Sequence, residues 1–287
     1  MTALALCRFA HFMGAMLTFG MSQYLWAYAP QRLKLALTPP LRRLALITSL
    51  IALVSAIVWL QLEAASMAGD WSAALDPKTI GAVLTDTEFG HAWAAHLVLA
   101  AALIAAVVMD RWGATLLASA ALLASLGLVD HAAMQTGAEG VLHRVNDAVH
   151  LLAAGAWIGG LVPFAMCLRA YKRDELREDA VQAMTGFSFW GQLIVAGVVL
   201  TGVVNIALTS GHPPIPPTTP YRALLVAKLL IVAVMISLAV FNRFILAPRL
   251  KESVTALASL RATSAAEIAL GCVVVALVSV FGLLDPA

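Results

Sequence analysis

Long apolar runs separated by short polar breaks dominate the chain. A membrane-spanning helix needs about 17 to 25 mostly apolar residues. Eight segments meet this length, at about 2–28, 43–67, 90–109, 112–133, 146–169, 184–208, 222–246 and 263–284. Charge runs, polar stretches and proline-rich segments separate them, including the Pro39–Pro40 pair, which we expect to end a helix. The pattern predicts an all-α polytopic membrane helix bundle, a single membrane domain with eight transmembrane helices.

The composition excludes the other fold classes. Of 287 residues, 61% are hydrophobic and 12% are charged, and the charged share is about half that of an ordinary soluble domain. The mean hydropathy is +0.89, which excludes a disordered chain. A membrane β-barrel would show a weaker, alternating pattern. The net charge of +2 gives no indication of nucleic-acid binding, and the three cysteines are too far apart to suggest a disulfide framework or a zinc site.

The basic residues predict the orientation. Twelve lysines and arginines follow predicted spans 1, 3, 5 and 7, whereas three follow spans 2, 4 and 6. Cytoplasmic loops of membrane proteins are enriched in basic residues. The segments that follow spans 2, 4 and 6 are therefore expected on the side away from the cytoplasm. Both termini are therefore predicted to be periplasmic, in a protein of the bacterial inner membrane.

The histidines gather on the predicted outer half. His11 lies about 13 Å into span 1 at helical rise, and all seven histidines fall in the outer half under this topology. Imidazole together with thioether sulfur suits copper, above all Cu(I). The candidate metal ligands are His11, His91, His96, His131, Met134, His143 and His150.

Other polar residues lie at the same predicted depth in the membrane as the histidines. Ionisable groups inside a membrane are costly and usually face a bundle interior, where they pair. Glu63 is expected to pair with Lys228 or with Arg8, and Asp147 shares one helix face with His143 and His150. The candidate residues that balance charge or orient ligands are Glu63, Asp147, Asn205 and Lys228.

The fifth span carries a recognisable motif. Its string from Asp147 and His150 through LLAAGAWIGGL to Leu161 resembles the characteristic helix of the CopD/PcoD family of bacterial copper-resistance membrane proteins. The resemblance covers residues 90–287 well and the first two spans loosely. Later residues fit the same pattern: Tyr221, Lys228, Asn242, Arg243, Pro248, Leu250 and Glu267.

This resemblance implies a protein of copper homeostasis in the inner membrane. It implies movement of copper from the periplasm toward the cytoplasm, in partnership with the small periplasmic copper carrier CopC, which we expect to be a separate protein. No enzymatic activity is expected, except under the haem alternative given below.

The first functional hypothesis is therefore copper binding and uptake. Copper would be delivered near His91, His131, Met134 and His143, and would pass to a deeper site formed by His11, His96 and His150. Glu63 and Asp147 would balance its charge. The small residues Gly155, Gly159 and Gly160 would allow close helix packing beside that site. The inner half shows no matching series of histidines or methionines.

Two alternatives remain open on the sequence. The outward histidines could be axial ligands of haem b in a membrane redox protein, with His150 and either His11 or His96 as the pair. A metal sensor or an assembly chaperone without transport is the third possibility.

Overall fold

The structure is a bundle of long helices. The computed structural model describes residues 2–129, 137–210, 216–251 and 254–285. Its α-helices are α1 (Thr2–Ala27), α2 (Gln31–Ala68), α3 (Pro77–Asp86), α4 (Glu88–Val108), α5 (Trp112–Ser125), α6 (Gly137–Ala170), α7 (Arg177–Ser210), α8 (Pro220–Phe241) and α9 (Val254–Phe281). Short 3₁₀ turns cover Trp71–Leu75, Leu126–Leu128, Asp174–Leu176 and Pro248–Lys251, and a π-helical turn covers Asn242–Leu246.

The long helices correspond to the predicted spans. Seven are long and apolar enough to cross a membrane, and a shorter apolar helix covers Trp112–Leu128. These elements account for all eight predicted segments. No β-strand occurs in the described ranges. The prediction of an all-α polytopic membrane bundle is confirmed.

The Pro39–Pro40 pair does not end a helix, contrary to our expectation, because α2 runs through it from Gln31 to Ala68. Both prolines are exposed, whereas Leu33, Leu37 and Leu41 form a buried stripe one helical turn apart. Burial of this stripe stabilises the first turns of α2 and offsets both the backbone donor that each proline lacks and the clash of its ring with the carbonyl four residues earlier.

The polar stretch between α2 and α4 is also more regular than expected. It contains a 3₁₀ turn and then α3, whose amino end is capped by Asp76. Hydrogen bonds from the Thr79 hydroxyl, followed by those from the Thr79 and Lys78 backbone N–H groups, lower the pKa of the Asp76 carboxyl. The α3 helix packs on α4 at the end of the bundle.

Helix α1 lies at the centre of the bundle, in contact with α2, α5, α6 and α9. It approaches α6 closely at Gly20 and Gly159, where a Cβ added to either glycine would collide with the backbone of the other helix. At the other end of α1 the Arg8 guanidinium lies against Gly282, just after α9. The two chain ends are therefore on the same side of the bundle, as an even number of crossings requires.

Candidate metal centre

Two buried histidines from different helices face each other beside α1. The Nε2 atoms of His11 in α1 and His96 in α4 are 3.0 Å apart. The side chains are 0% and 1% exposed, respectively. Each lies about 12 to 13 Å from the start of its helix at helical rise. The pair therefore lies well inside the bundle, toward the side that carries the chain ends.

The other nitrogen of each ring is held by a neighbouring helix. His11 Nδ1 lies 3.0 Å from the Ala52 carbonyl oxygen and 3.2 Å from Ser55 Oγ, both in α2. Because a carbonyl only accepts, His11 Nδ1 carries the proton and the Nε2 lone pair of this neutral ring points at His96. His96 Nε2–H then donates to His11, and His96 Nδ1 accepts from Ser125 Oγ at 2.8 Å.

Two tryptophans enclose the pair. The Trp93 ring stacks on His96 with 4.6 Å between ring centroids, and the Trp59 ring meets His11 edge-on at 5.8 Å. Trp93 Nε1 donates to the Ala56 carbonyl at 2.9 Å, which fixes its orientation. Neither tryptophan was among the predicted site residues, although Trp93 lies three residues before His96 and so shares its helix face.

Glu63 is positioned by one of these tryptophans. Trp59 Nε1 donates to Glu63 Oε1 at 3.1 Å, and the Arg8 guanidinium lies 4.9 Å from the Trp59 ring centroid. Glu63 and Arg8 thus both contact Trp59. Lys228 instead lies near Asp147 and His150.

His150 belongs to a second polar cluster, between α6 and α7. Its Nδ1 lies 2.9 Å from Thr201 Oγ1. Asn146 donates to the Thr201 carbonyl at 2.9 Å and to Asn205 Oδ1 at 2.6 Å, and Asn205 Nδ2 donates to Asp147 Oδ1 at 3.0 Å. The structure therefore separates His150 from the His11–His96 pair, with which the sequence analysis had grouped it.

The remaining predicted ligands lie elsewhere. His91 is exposed, and its Nε2 lies 2.8 Å from the Thr85 carbonyl oxygen. His143 is buried in α6, two turns from His150. His131 and Met134 lie outside the described residues.

The predicted packing glycines line α6. A Cβ added to Gly159 would collide with the backbone of Met16 and Gly20, and one added to Gly160 would meet the Phe187 ring. At Gly155 the nearest atoms are side-chain carbons, the closest 3.0 Å away on Leu123.

A third polar cluster lies at the opposite end of the bundle. Asn242 Nδ2 donates to Glu267 Oε1 at 2.5 Å, the Thr263 hydroxyl donates to Asn242 Oδ1 at 2.6 Å, and Trp157 also hydrogen-bonds Glu267. Asn242 opens the π-helical turn, in which Ala247 N–H donates to the Asn242 carbonyl. Residues that carried the family resemblance from three separate helical segments therefore meet at one point.

The His11–His96 pair could hold a metal ion after a small adjustment. Among the described residues, no three His, Cys, Asp or Glu side chains converge on one point. A metal held linearly between two imidazoles, at a nitrogen–metal distance of about 2 Å, needs nitrogens about 4 Å apart. The present separation is 3.0 Å, so the rings would move apart by about 1 Å.

Comparison with known proteins identifies the family. Residues 1–141 match the family model described as Copper resistance protein D-like, N-terminal domain, and residues 181–281 match that described as Copper resistance protein D. The chain is 33% identical over 301 residues to Copper resistance protein D of Pseudomonas syringae pv. tomato, with 97% of this chain and 95% of the relative covered. The chain belongs to the copper resistance protein D family.

Two further relatives agree with this assignment. Inner membrane protein YebZ of Escherichia coli (strain K12) is 34% identical over 286 residues, which cover 97% of each chain. Copper transport protein CutJ of Bacillus subtilis (strain 168) is 27% identical over 173 residues, covering 56% of this chain and 32% of the relative. No solved structure matches the chain.

Membership of the copper resistance protein D family confirms the resemblance. It identifies a copper-related, multi-pass protein of the inner membrane. The first two spans fit the family better than expected, since the amino-terminal model covers both. The haem alternative gains no support, because none of these relatives is named for haem and the His11 and His96 rings contact each other directly.

Proposed function

We propose that the protein binds copper between His11 and His96 in its periplasmic half and imports it across the inner membrane. The observation that carries this proposal is the 3.0 Å contact between two buried Nε2 atoms whose partner nitrogens are already held by other helices. Two preoriented imidazoles with their Nε2 atoms facing each other are suited to a two-coordinate Cu(I) ion. The protein is then a binding and transport protein and not an enzyme.

The hydrogen bonds around the pair allow copper to enter without a buried imidazolium. In the metal-free pair the Nε2 proton of His96 lies where the metal would bind. Ser125 Oγ lies 2.8 Å both from His96 Nδ1 and from the Leu122 carbonyl oxygen. The site therefore also accommodates the His96 tautomer with its proton on Nδ1, in which Nδ1–H donates to Ser125 Oγ and the Ser125 hydroxyl donates to the Leu122 carbonyl. Both rings stay neutral, and both Nε2 lone pairs face the ion.

An import route is supported by polar residues on both sides of the pair. Toward the predicted outer surface lie Arg8, Glu63 and the exposed His91. A periplasmic copper carrier resembling CopC is the proposed donor at this surface. Toward the inner surface lies the hydrogen-bonded cluster of Asn242, Thr263 and Glu267. The name of the relative CutJ, a copper transport protein, favours transport over sensing.

Copper binding by the purified protein tests the site. We expect His11→Asn and His96→Asn each to lower Cu(I) affinity by at least about a hundredfold, since each removes one of two ligands. The measurement is competition with a chromogenic Cu(I) chelator under anaerobic conditions. His212→Asn, in the proline-rich segment between α7 and α8, is the matched histidine control and should bind like the wild type.

The cytoplasmic copper content of cells tests the direction of copper transport. Cells that lack the protein should accumulate less cytoplasmic copper than complemented cells, and the His96→Asn variant should not restore uptake. Full Cu(I) affinity in both folded histidine variants would exclude this pair as the site. Higher cytoplasmic copper in the absence of the protein would instead indicate export.

A further inference from the structure

A large cavity lies between two helix pairs, apart from the histidine centre. Helix α7 packs on α6 and α8 packs on α9, and between these pairs is a cavity of about 940 Å³. Its lining along α7 runs from Val181 to Leu200, a length of about 28 Å at helical rise. This is close to the thickness of the hydrocarbon core of a bilayer, about 30 Å.

The walls of this cavity are apolar along most of their length. From α7 they include Ile194, Val195 and Val199, and from α8 they include Ile236 and Val240. The outward surfaces of α7 and α8 also expose large apolar side chains, so both helices face lipid. A cavity of this length and lining accommodates a hydrocarbon chain.

Among the described residues, one cation lines the predicted inner part of the cavity. Arg243 Nη1 donates to Ser188 Oγ at 3.0 Å, and the Arg243 side chain lies against the Phe244 ring. Its Nε is buried and has no hydrogen-bond partner among the described residues. A buried donor without a partner is costly, and guanidinium groups bind phosphate through pairs of N–H groups. The cavity therefore offers a hydrocarbon channel and an unsatisfied anion-binding donor together.

The depth of Arg243 fits the membrane interface. It lies three residues before Leu246, where the membrane-spanning stretch of α8 and its π-helical turn ends. Three residues correspond to about 5 Å at helical rise. Arginine side chains near the end of a span reach the headgroup region. By the orientation predicted from basic residues, this is the cytoplasmic leaflet.

We infer that this cavity is a binding site for one anionic phospholipid of the inner leaflet. The phosphate group lies on Arg243, and one acyl chain runs along α7 toward Leu200. A free phosphate ion would leave the apolar walls uncovered, and an apolar face of a second copy of the chain would leave the Arg243 donor unsatisfied. A phospholipid matches both features with one molecule. The site is separate from the proposed copper centre.

Lipid retention by the purified full-length protein tests this inference. The protein is reconstituted in nanodiscs of phosphatidylcholine with one-fifth phosphatidylglycerol, transferred to detergent, and analysed by native mass spectrometry. We expect one tightly held phosphatidylglycerol in the wild type and at least about a tenfold loss in Arg243→Gln, which removes a charged hydrogen bond. The matched control is Arg173→Gln, which removes an exposed arginine from the connection between α6 and α7.

A second variant tests whether an acyl chain occupies the cavity. Ala196→Trp places a large side chain in the cavity wall and should displace the lipid without changing the charge. Unfolding temperatures in pure phosphatidylcholine should be similar for all variants, which separates lipid loss from misfolding.

Several results would overturn the inference. The first is that Arg243→Gln retains as much phosphatidylglycerol as the wild type, and the second is that Arg243→Gln and Arg173→Gln lose equal amounts of it. The third is displacement of the lipid by millimolar inorganic phosphate alone. A lipid-free dimer in the wild type would show that a second chain fills the cavity.

Discussion

The chemistry proposed for the histidine pair depends on which nitrogen each ring presents. His11 and His96 both direct Nε2 toward the other ring because α2 and α5 hold the two Nδ1 atoms. The neighbours do this differently. The Ala52 carbonyl holds His11 in one tautomer, whereas the Ser125 hydroxyl can donate to His96 or accept from it. His96 is therefore the ring that can change its proton position when a metal binds.

Removal of this hydroxyl should weaken metal binding without removing a ligand. We expect Ser125→Ala to lower Cu(I) affinity by about tenfold, which is typical for partners that orient metal-bound histidine. Chelator competition measures this change. Ser119→Ala is the control, because Ser119 also lies in α5, where it is more buried than Ser125, but hydrogen-bonds the Thr115 carbonyl and not a histidine. Equal losses in the two serine variants would contradict a specific role for Ser125.

The sequence predicted the histidines of the site but not their grouping. The hydropathy pattern predicted that they lie at a similar depth in the membrane, because residues at similar distances from the helix ends lie at similar depths. Which histidines meet depends on how each helix is rotated and which helices are neighbours. His150 faces Thr201 on α7, while His11 and His96 meet beside α2. These rotations are set by packing of apolar side chains that look alike in a single sequence.

At the scale of elements, the apolar windows located the spans and missed the helical turns outside them. A window average detects residues that face lipid, and the turns beyond the membrane are amphipathic. Helix α2 begins at Gln31 because Leu33 and Leu37 bury one side of a partly charged segment. Helices α6 and α7 also begin several residues before the predicted spans, at Gly137 and Arg177.

The contact between α1 and α6 should tolerate added volume poorly. Gly159→Ala places a methyl group against the backbone of Met16 and Gly20, and backbone cannot move aside without separating the helices. We expect a loss of about 1 to 3 kcal/mol, as found for overpacked interiors, seen as a lower unfolding temperature in detergent. Because α1 carries His11, copper affinity should fall as well.

A glycine in another long helix provides the control. Gly197 in α7 has only the Ala153 Cβ near its added methyl group, at 3.9 Å. Gly197→Ala should leave stability unchanged or raise it by up to about 1 kcal/mol, because alanine favours helix. If Gly159→Ala were as stable as Gly197→Ala, the close packing of α1 on α6 would not be needed for the fold.

At the scale of the whole molecule, the fold determines which parts of the chain lie on the same side of the membrane. The distribution of basic residues predicts which of the two sides faces the cytoplasm. The contact between Arg8 and Gly282 places both chain ends on the same side. The histidine pair lies in the half nearest those ends. Whether this half faces the periplasm depends on the twelve basic residues against three in the connecting segments. The proposed direction of copper movement depends on that assignment.

Reporter fusions can test the orientation in cells. Alkaline phosphatase is active only when exported, so a fusion after Asp285 should be active, and a fusion at Arg173, between α6 and α7, should be inactive. Green fluorescent protein, which fluoresces when it folds in the cytoplasm, should give the opposite result at both positions. The reverse pattern would place the His11–His96 pair in the cytoplasmic half and turn the proposed import route into an export route. Alkaline phosphatase can also be fused separately to each end of the chain. Activity at only one of the two ends would contradict an even number of membrane crossings.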